Sequence, residues 1–194
     1  MSSIGFYDEN AEGFFRRTVE TDMSAPHRLF AGLMTPGGRV LDAGCGSGRD
    51  ALAFHRMGFE VTATEAAPKL AALARAHTGL PIDVMTFDQM AWRDRFDGIW
   101  TCASLLHVAR AELPATMRRL RDTLVPGGVW FMSFKYGTGE REANGRRFTD
   151  LDETGALDLL GEVRGLQLIS MEVVGDGRAD HAAERWLSLF CRRN

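Results

Sequence analysis

The chain has 194 residues, enough for one ordinary domain with a core of its own and too few for a second full domain. Hydrophobic residues make up 45%, charged residues 25% and the net charge is -3, without the basic excess that gripping a nucleic-acid backbone requires. Cys45, Cys102 and Cys191 are scattered and form no C-x-x-C pair, which excludes a disulfide framework or structural zinc and predicts a cytoplasmic setting; no secretory leader and no run of about 18 apolar residues is found, so no membrane insertion is expected.

Residues 11–19, with Phe14 and Phe15, and 25–34, with Leu29, Phe30 and Leu33, have helical character. Pro36-Gly37-Gly38 ends them, so residues 1–36 are expected to form a helical lid or flank. Strands and helices then alternate. Residues 39–43 predict a first strand, 50–57 a helix stopped by Gly58, and 59–64 a second strand. Pro68 suits a helix's first turn and Gly79 its end. Residues 81–86 and 96–101 predict strands three and four. Leu113, Met117, Leu120 and Leu124 share one helical face, and Pro126-Gly127-Gly128 is expected to end that helix. A fifth strand follows at 129–134, a polar, Gly-rich loop at 136–150 and a helix at 152–163. Two last apolar runs, 166–174 and 185–191, have no helix between them and predict an antiparallel hairpin. The whole chain is thus expected to be one domain, 1–194. Its α/β core, 37–194, is a seven-stranded, mostly parallel sheet with one antiparallel strand and helices on both faces. Ligands of such sheets bind beyond the strands' carboxyl ends.

The segment Val40-Leu41-Asp42-Ala43-Gly44-Cys45-Gly46-Ser47-Gly48-Arg49-Asp50 runs from strand to helix through three alternating glycines, which let a ligand approach backbone. It lacks the Gly-Lys-Ser/Thr of a phosphate-binding loop, and Arg49 stands where a dinucleotide fingerprint has its third glycine. Asp42 would repel a pyrophosphate and attract a cation. The three-glycine run therefore predicts a positively charged ligand.

Asp42-Ala43-Gly44-Cys45-Gly46-Ser47-Gly48 resembles the first motif of class I S-adenosylmethionine-dependent methyltransferases, which have a Rossmann-like three-layer sandwich fold. Glu65, ending the second strand, matches the family's acidic residue for the ribose hydroxyls, and Phe87-Asp88-Gln89-Met90 its adenine segment, with Asp88 toward the amino group. Residues 96–108 resemble the fourth-strand motif, and 124–129 the turn into strand five. The resemblance implies S-adenosylmethionine as cofactor, held by Tyr7, Asp42, Gly44, Cys45, Gly46, Gly48, Arg49, Asp50, Glu65, Ala66, Phe87, Asp88, Gln89, Met90, Cys102, Ala103 and Leu105. More narrowly, Tyr7-Asp8-Glu9-Asn10-Ala11, Ser104-Leu105-Leu106-His107, Ser133-Phe134-Lys135-Tyr136-Gly137 and Glu184-Arg185-Trp186-Leu187 are similar to small bacterial members related to tellurite-resistance methyltransferases.

Cys45 reads as a small packing residue and not as a nucleophile. Methyl transfer needs alignment and exclusion of water more than catalytic groups, so no metal and no nucleophilic triad is expected. His107, just past strand four, is the candidate base. Tyr136, Arg147 and Phe148 are candidate contacts to the acceptor, and residues 176–181 a further one. A small-molecule acceptor is expected, with RNA (tRNA) methylation, a non-catalytic S-adenosylmethionine-binding role and a nicotinamide dehydrogenase as the alternatives. Oligomeric state is not readable.

Overall fold

Seven helices and nine strands follow one another along residues 2–176 and 184–194, the residues that the computed structural model describes. The helices are α1 (Ser3–Glu9), α2 (Ala11–Thr18), α3 (Ser24–Gly32), α4 (Arg49–Arg56), α5 (Pro68–Thr78), α6 (Leu113–Arg121) and α7 (Glu153–Val163). The strands are β1 (Arg39–Ala43), β2 (Glu60–Glu65), β3 (Ile82–Val84), β4 (Phe96–Thr101), β5 (Leu124–Lys135), β6 (Gly139–Ala143), β7 (Arg146–Asp150), β8 (Leu166–Gly175) and β9 (Arg185–Arg193).

Seven of these strands form one sheet in the order β3-β2-β1-β4-β5-β9-β8. The first five run parallel, and β9 is antiparallel to both β5 and β8. Both faces are covered, because alternate residues of the central strands are apolar on either side. Leu41, Ile99 and Met132 face Met117 and Leu120 of α6 and Leu159 of α7, whereas Val40, Trp100 and Phe131 face Phe30 of α3 and Phe54 of α4. Trp100 stacks on Phe131 at 3.9 Å. The expected Rossmann-like sandwich is the observed one.

Three local expectations are corrected. The apolar pattern does not mark α1, a short helix whose Ser2 hydroxyl caps Gly5 N–H and whose partners are α2, α5 and β7. Helix α6 stops at Arg121, so Leu124 begins β5. Its register against β4 jumps from Phe96↔Leu124 to Gly98↔Val129, and Pro126-Gly127-Gly128 sits in that bulge. Most of the 136–150 loop is a hairpin, β6 with β7, turning on Asn144 (φ 52°) and Gly145 (φ 74°). Positive φ at both central residues is the type I′ geometry that Asn-Gly favours. The hairpin pairs only with itself; Thr149 Oγ1 ties it to Val108 O at 2.7 Å, and Arg147 N–H donates to Ser3 Oγ at 3.1 Å.

Candidate functional site

The strand order reverses between β1 and β4, and a cavity of about 1780 Å³ opens beyond their carboxyl ends. Its floor is the glycine turn. Gly44 and Cys45 N–H both donate to Thr64 O, at 2.9 and 2.8 Å, bending the chain back over β2. Gly44 has φ +79°, and a Cβ there would lie 2.7 Å from Ser104 Cβ, whose hydroxyl donates to Ala43 O at 2.8 Å. Gly44→Ala is therefore expected to cost about 1–3 kcal/mol. Urea unfolding measures it, and an unshifted midpoint would mean that the turn relaxes freely.

Glu65 lies at the tip of β2, buried, with Oε2 accepting from Gly46 N–H at 3.0 Å and Oε1 from Ala67 N–H at 2.9 Å. Burial raises its pKa, and the backbone N–H groups oppose that rise. Each oxygen retains acceptor capacity toward the cavity. Asp42 lies beneath the turn and off the cavity wall, fully buried, with Oδ2 lacking a partner among the described residues. Burial, then the nearby Asp50, lifts its pKa well above the usual carboxylate range. Of the two acids at the glycine turn, Asp42 and Glu65, it is thus Glu65 that meets the cavity.

Asp50 also lines the cavity, but its carboxylate is engaged by protein partners. Its Oδ1 accepts from His27 Nε2 (2.8 Å) and Arg49 Nε (2.7 Å), its Oδ2 from Arg49 Nη2 (2.8 Å) and Trp100 Nε1 (2.9 Å). All the acceptor positions of a carboxylate are taken. Burial alone would raise its pKa, but the Arg49 charge and these hydrogen bonds outweigh burial and hold it far below the usual range. Asp50 therefore fixes Arg49, which lines the cavity and reaches Thr18 O at 3.3 Å.

Of the other expected cofactor contacts, Tyr7, Cys45, Ala66, Phe87, Asp88, Cys102 and Ala103 line the cavity. Four do not. Gly48 caps α4 and packs against Thr78 and Ala74 of α5; Gln89 turns its side chain back to accept from Thr86 N–H at 2.9 Å; Met90 and Leu105 are core residues. Burial pushes the Cys102 thiol up to about 12 and Cys45 well above its ordinary value, so neither is a thiolate at neutral pH. Among the described residues no cluster could hold a metal ion.

The far wall joins α1 to the hairpin. His107 Nδ1 lies 2.7 Å from Arg147 O, which only accepts, so Nδ1 carries the proton and Nε2 accepts from Tyr7 Oη at 2.7 Å. Arg146 Nη1 donates to Tyr7 Oη at 3.3 Å. Burial, followed by the Arg146 charge, lowers the His107 pKa to about 4 against the opposing bond to Arg147 O. A base depressed from its ordinary 6.5 to about 4 in the folded chain contributes stability that is complete above pH 6.5 and lost as pH falls toward 4. His107→Phe is expected to flatten stability across that window, as urea titrations at several pH values would record.

Phe148 and Arg147 both touch the cavity, but Tyr136 does not: its hydroxyl donates to Glu153 of α7 at 3.0 Å, with Arg185 over its ring. In residues 176–181, only Asp176 is described; the rest lie outside the described residues. Sequence reasoning passed over Phe6, Ser104 and Arg146 as site residues. Alternation along β7 could have separated Arg146 from Arg147 once a hairpin was recognised.

Residues 40–128 match the family model described as a methyltransferase domain. The ubiquinone biosynthesis O-methyltransferase of Xanthomonas campestris pv. campestris (strain B100) is 37% identical over 105 residues, 50% of this chain and 43% of that protein. This chain thus spans less than half of the curated relative's length. Among solved structures, the Burkholderia thailandensis 1,6-didemethyltoxoflavin-N1-methyltransferase, with 1,6-didemethyltoxoflavin and S-adenosylhomocysteine bound, superposes with TM-score 0.81. The match covers 98% of this chain and 87% of that one at 21% identity. The cyclase SpnF superposes with TM-score 0.69 at 20% identity, covering 99% and 96% of the two chains. The shared architecture is therefore compatible with more than one reaction.

Proposed function

We propose that this chain is an S-adenosylmethionine-dependent methyltransferase acting on a small-molecule acceptor. The observation that carries the reading is the pairing of Glu65 with the glycine turn. A buried carboxylate holds Gly46 and Ala67 N–H and keeps acceptor positions that suit two ribose hydroxyls. A phosphate would instead meet that carboxylate, with the adjacent cation, Arg49, neutralised by Asp50.

In this reading Gly44, Cys45, Gly46 and Arg49 shape the floor, Ala66 and Glu65 take the ribose side, and Phe87 and Asp88 the adenine side. Tyr7, Cys102 and Ala103 complete the wall, with Asp42 buried beneath the turn. The bound sulfonium supplies a methyl group in an in-line displacement. The chain's task is to orient the acceptor and exclude water, which α1 does from above through Tyr7 and through Ser3 against the hairpin. His107 Nε2 accepts from Tyr7 Oη, so in this reading an acceptor proton reaches the histidine by relay through the Tyr7 hydroxyl; Arg147 and Phe148 flank it.

Residues 1–36 act as the lid of a single unit, 1–194, working in the cytoplasm; among the described residues no helix is long and apolar enough to cross a membrane. The net charge of -3 favours a small acceptor over RNA. The narrower likeness to tellurite-resistance-type methyltransferases rests on the sequence motifs at Tyr7, Ser104, Ser133 and Glu184 alone.

Calorimetry with S-adenosylmethionine, S-adenosylhomocysteine and NADH, then an acceptor screen that detects S-adenosylhomocysteine, tests the reading. Binding of the first two and turnover on an acceptor are expected. Tight NADH binding with no affinity for either sulfur compound would overturn it, and cofactor binding without turnover on any acceptor would favour a non-catalytic role.

A further inference from the structure

Arg146 is a half-buried cation of the cavity wall that no carboxylate among the described residues answers. Around it, Arg49 pairs with Asp50, Arg141 with Asp150 and Arg147 with Glu140. No acidic side chain among the described residues lies within ion-pair distance of Arg146. Of its several guanidinium donors, Nη1 has one acceptor, Tyr7 Oη, and Nε is buried with no acceptor among the described residues. An unsatisfied buried donor carries a desolvation cost, so this arrangement favours a ligand that supplies the missing acceptor.

The guanidinium is held in place by rings, not by charge. Its carbon lies 4.6 Å from the Phe6 centroid, 5.0 Å from Phe148 and 5.7 Å from Tyr7. These rings line the cavity and offer flat apolar faces. His107, which shares the Tyr7 hydroxyl with Arg146, brings no positive charge at neutral pH because burial keeps it unprotonated. Glu142 stands on the same hairpin but is exposed. Arg146 therefore presents to the cavity a planar cation with donors to spare, set among aromatic rings.

We propose that the acceptor is a planar aromatic molecule bearing an anionic oxygen substituent, and that Arg146 is the residue that pairs with that substituent. A carboxylate and an ionised phenol share the required chemistry, and a guanidinium edge suits either through charge-assisted hydrogen bonds. The inference rests on the methyltransferase reading for the word acceptor; the recognition itself does not depend on it.

The test is calorimetry on the chain with and without saturating S-adenosylhomocysteine, using benzoate against benzamide and 4-nitrophenolate against 4-nitroanisole. At least one anion is expected to bind about tenfold or more tightly than its neutral counterpart. R146Q should remove that preference and R146K should restore part of it, with the neutral compounds unaffected. Which anion prevails distinguishes the carboxylate from the phenolate. Equal affinity within both pairs, or no anion binding at millimolar concentration, overturns the proposal. If R146Q fails to fold, the wild-type comparison and R146K still decide. Loss of S-adenosylhomocysteine binding in the wild-type chain would instead count against the methyltransferase reading, while the anion preference is read separately without it.

Discussion

Asp50→Ala is expected to destabilise the chain by about 3–5 kcal/mol, the usual result of removing one member of a buried ion pair. The carboxylate is the common acceptor for Arg49, His27 and Trp100, all drawn from different parts of the fold. Its loss strands a buried guanidinium, an imidazole and an indole N–H at once. Urea unfolding at neutral pH measures the effect, and a loss under about 1 kcal/mol would mean that water replaces the carboxylate freely. The double variant Arg49→Met with Asp50→Ala should recover part of the loss, because the stranded cation is gone. Since the Asp50 pKa is lowered in the fold, its contribution is present above the ordinary carboxylate value of 3.8 and fades as pH falls toward the folded one. At acid pH the wild type and Asp50→Ala should therefore converge.

Glu65→Ala is expected to weaken S-adenosylmethionine binding by about 1–3 kcal/mol, roughly 5- to 150-fold. Two effects add. The ribose side loses its acceptor, and Gly46 and Ala67 N–H lose the group that holds the turn in shape. Glu65→Gln keeps the size but offers one acceptor oxygen in place of two, so a smaller loss is expected. Calorimetry on the three proteins gives the order wild type, Glu65→Gln, Glu65→Ala; equal affinity in all three would place the ribose elsewhere.

What could be read before the fold was seen, and what could not, divides along physical lines. β1 and β4 matched residue for residue because both are apolar on two faces and end at sharp polarity changes. α5 matched at both ends, where Pro68 and a left-handed Gly79 set its limits. β6 and β7 escaped because Glu140, Arg141, Glu142, Arg146 and Arg147 show no apolar alternation, although Asn144-Gly145 announces a tight turn. Asp50 carried the residue type of a ligand contact, and its saturation by His27 and Trp100 depends on partners 23 and 50 positions away. Arg146 was hidden for a related reason. A cation stands out only once its neighbours have found their counter-charges.

The β6–β7 hairpin makes no ladder with the seven-stranded sheet, yet it supplies Arg146 and Phe148 to the cavity. Its length, tip and inward-facing side chains can therefore be rewritten while the donor half of the cavity stays as it is. A chain so built can drift from one acceptor to another by exchanging a short ribbon, with its scaffold left out of the bargain.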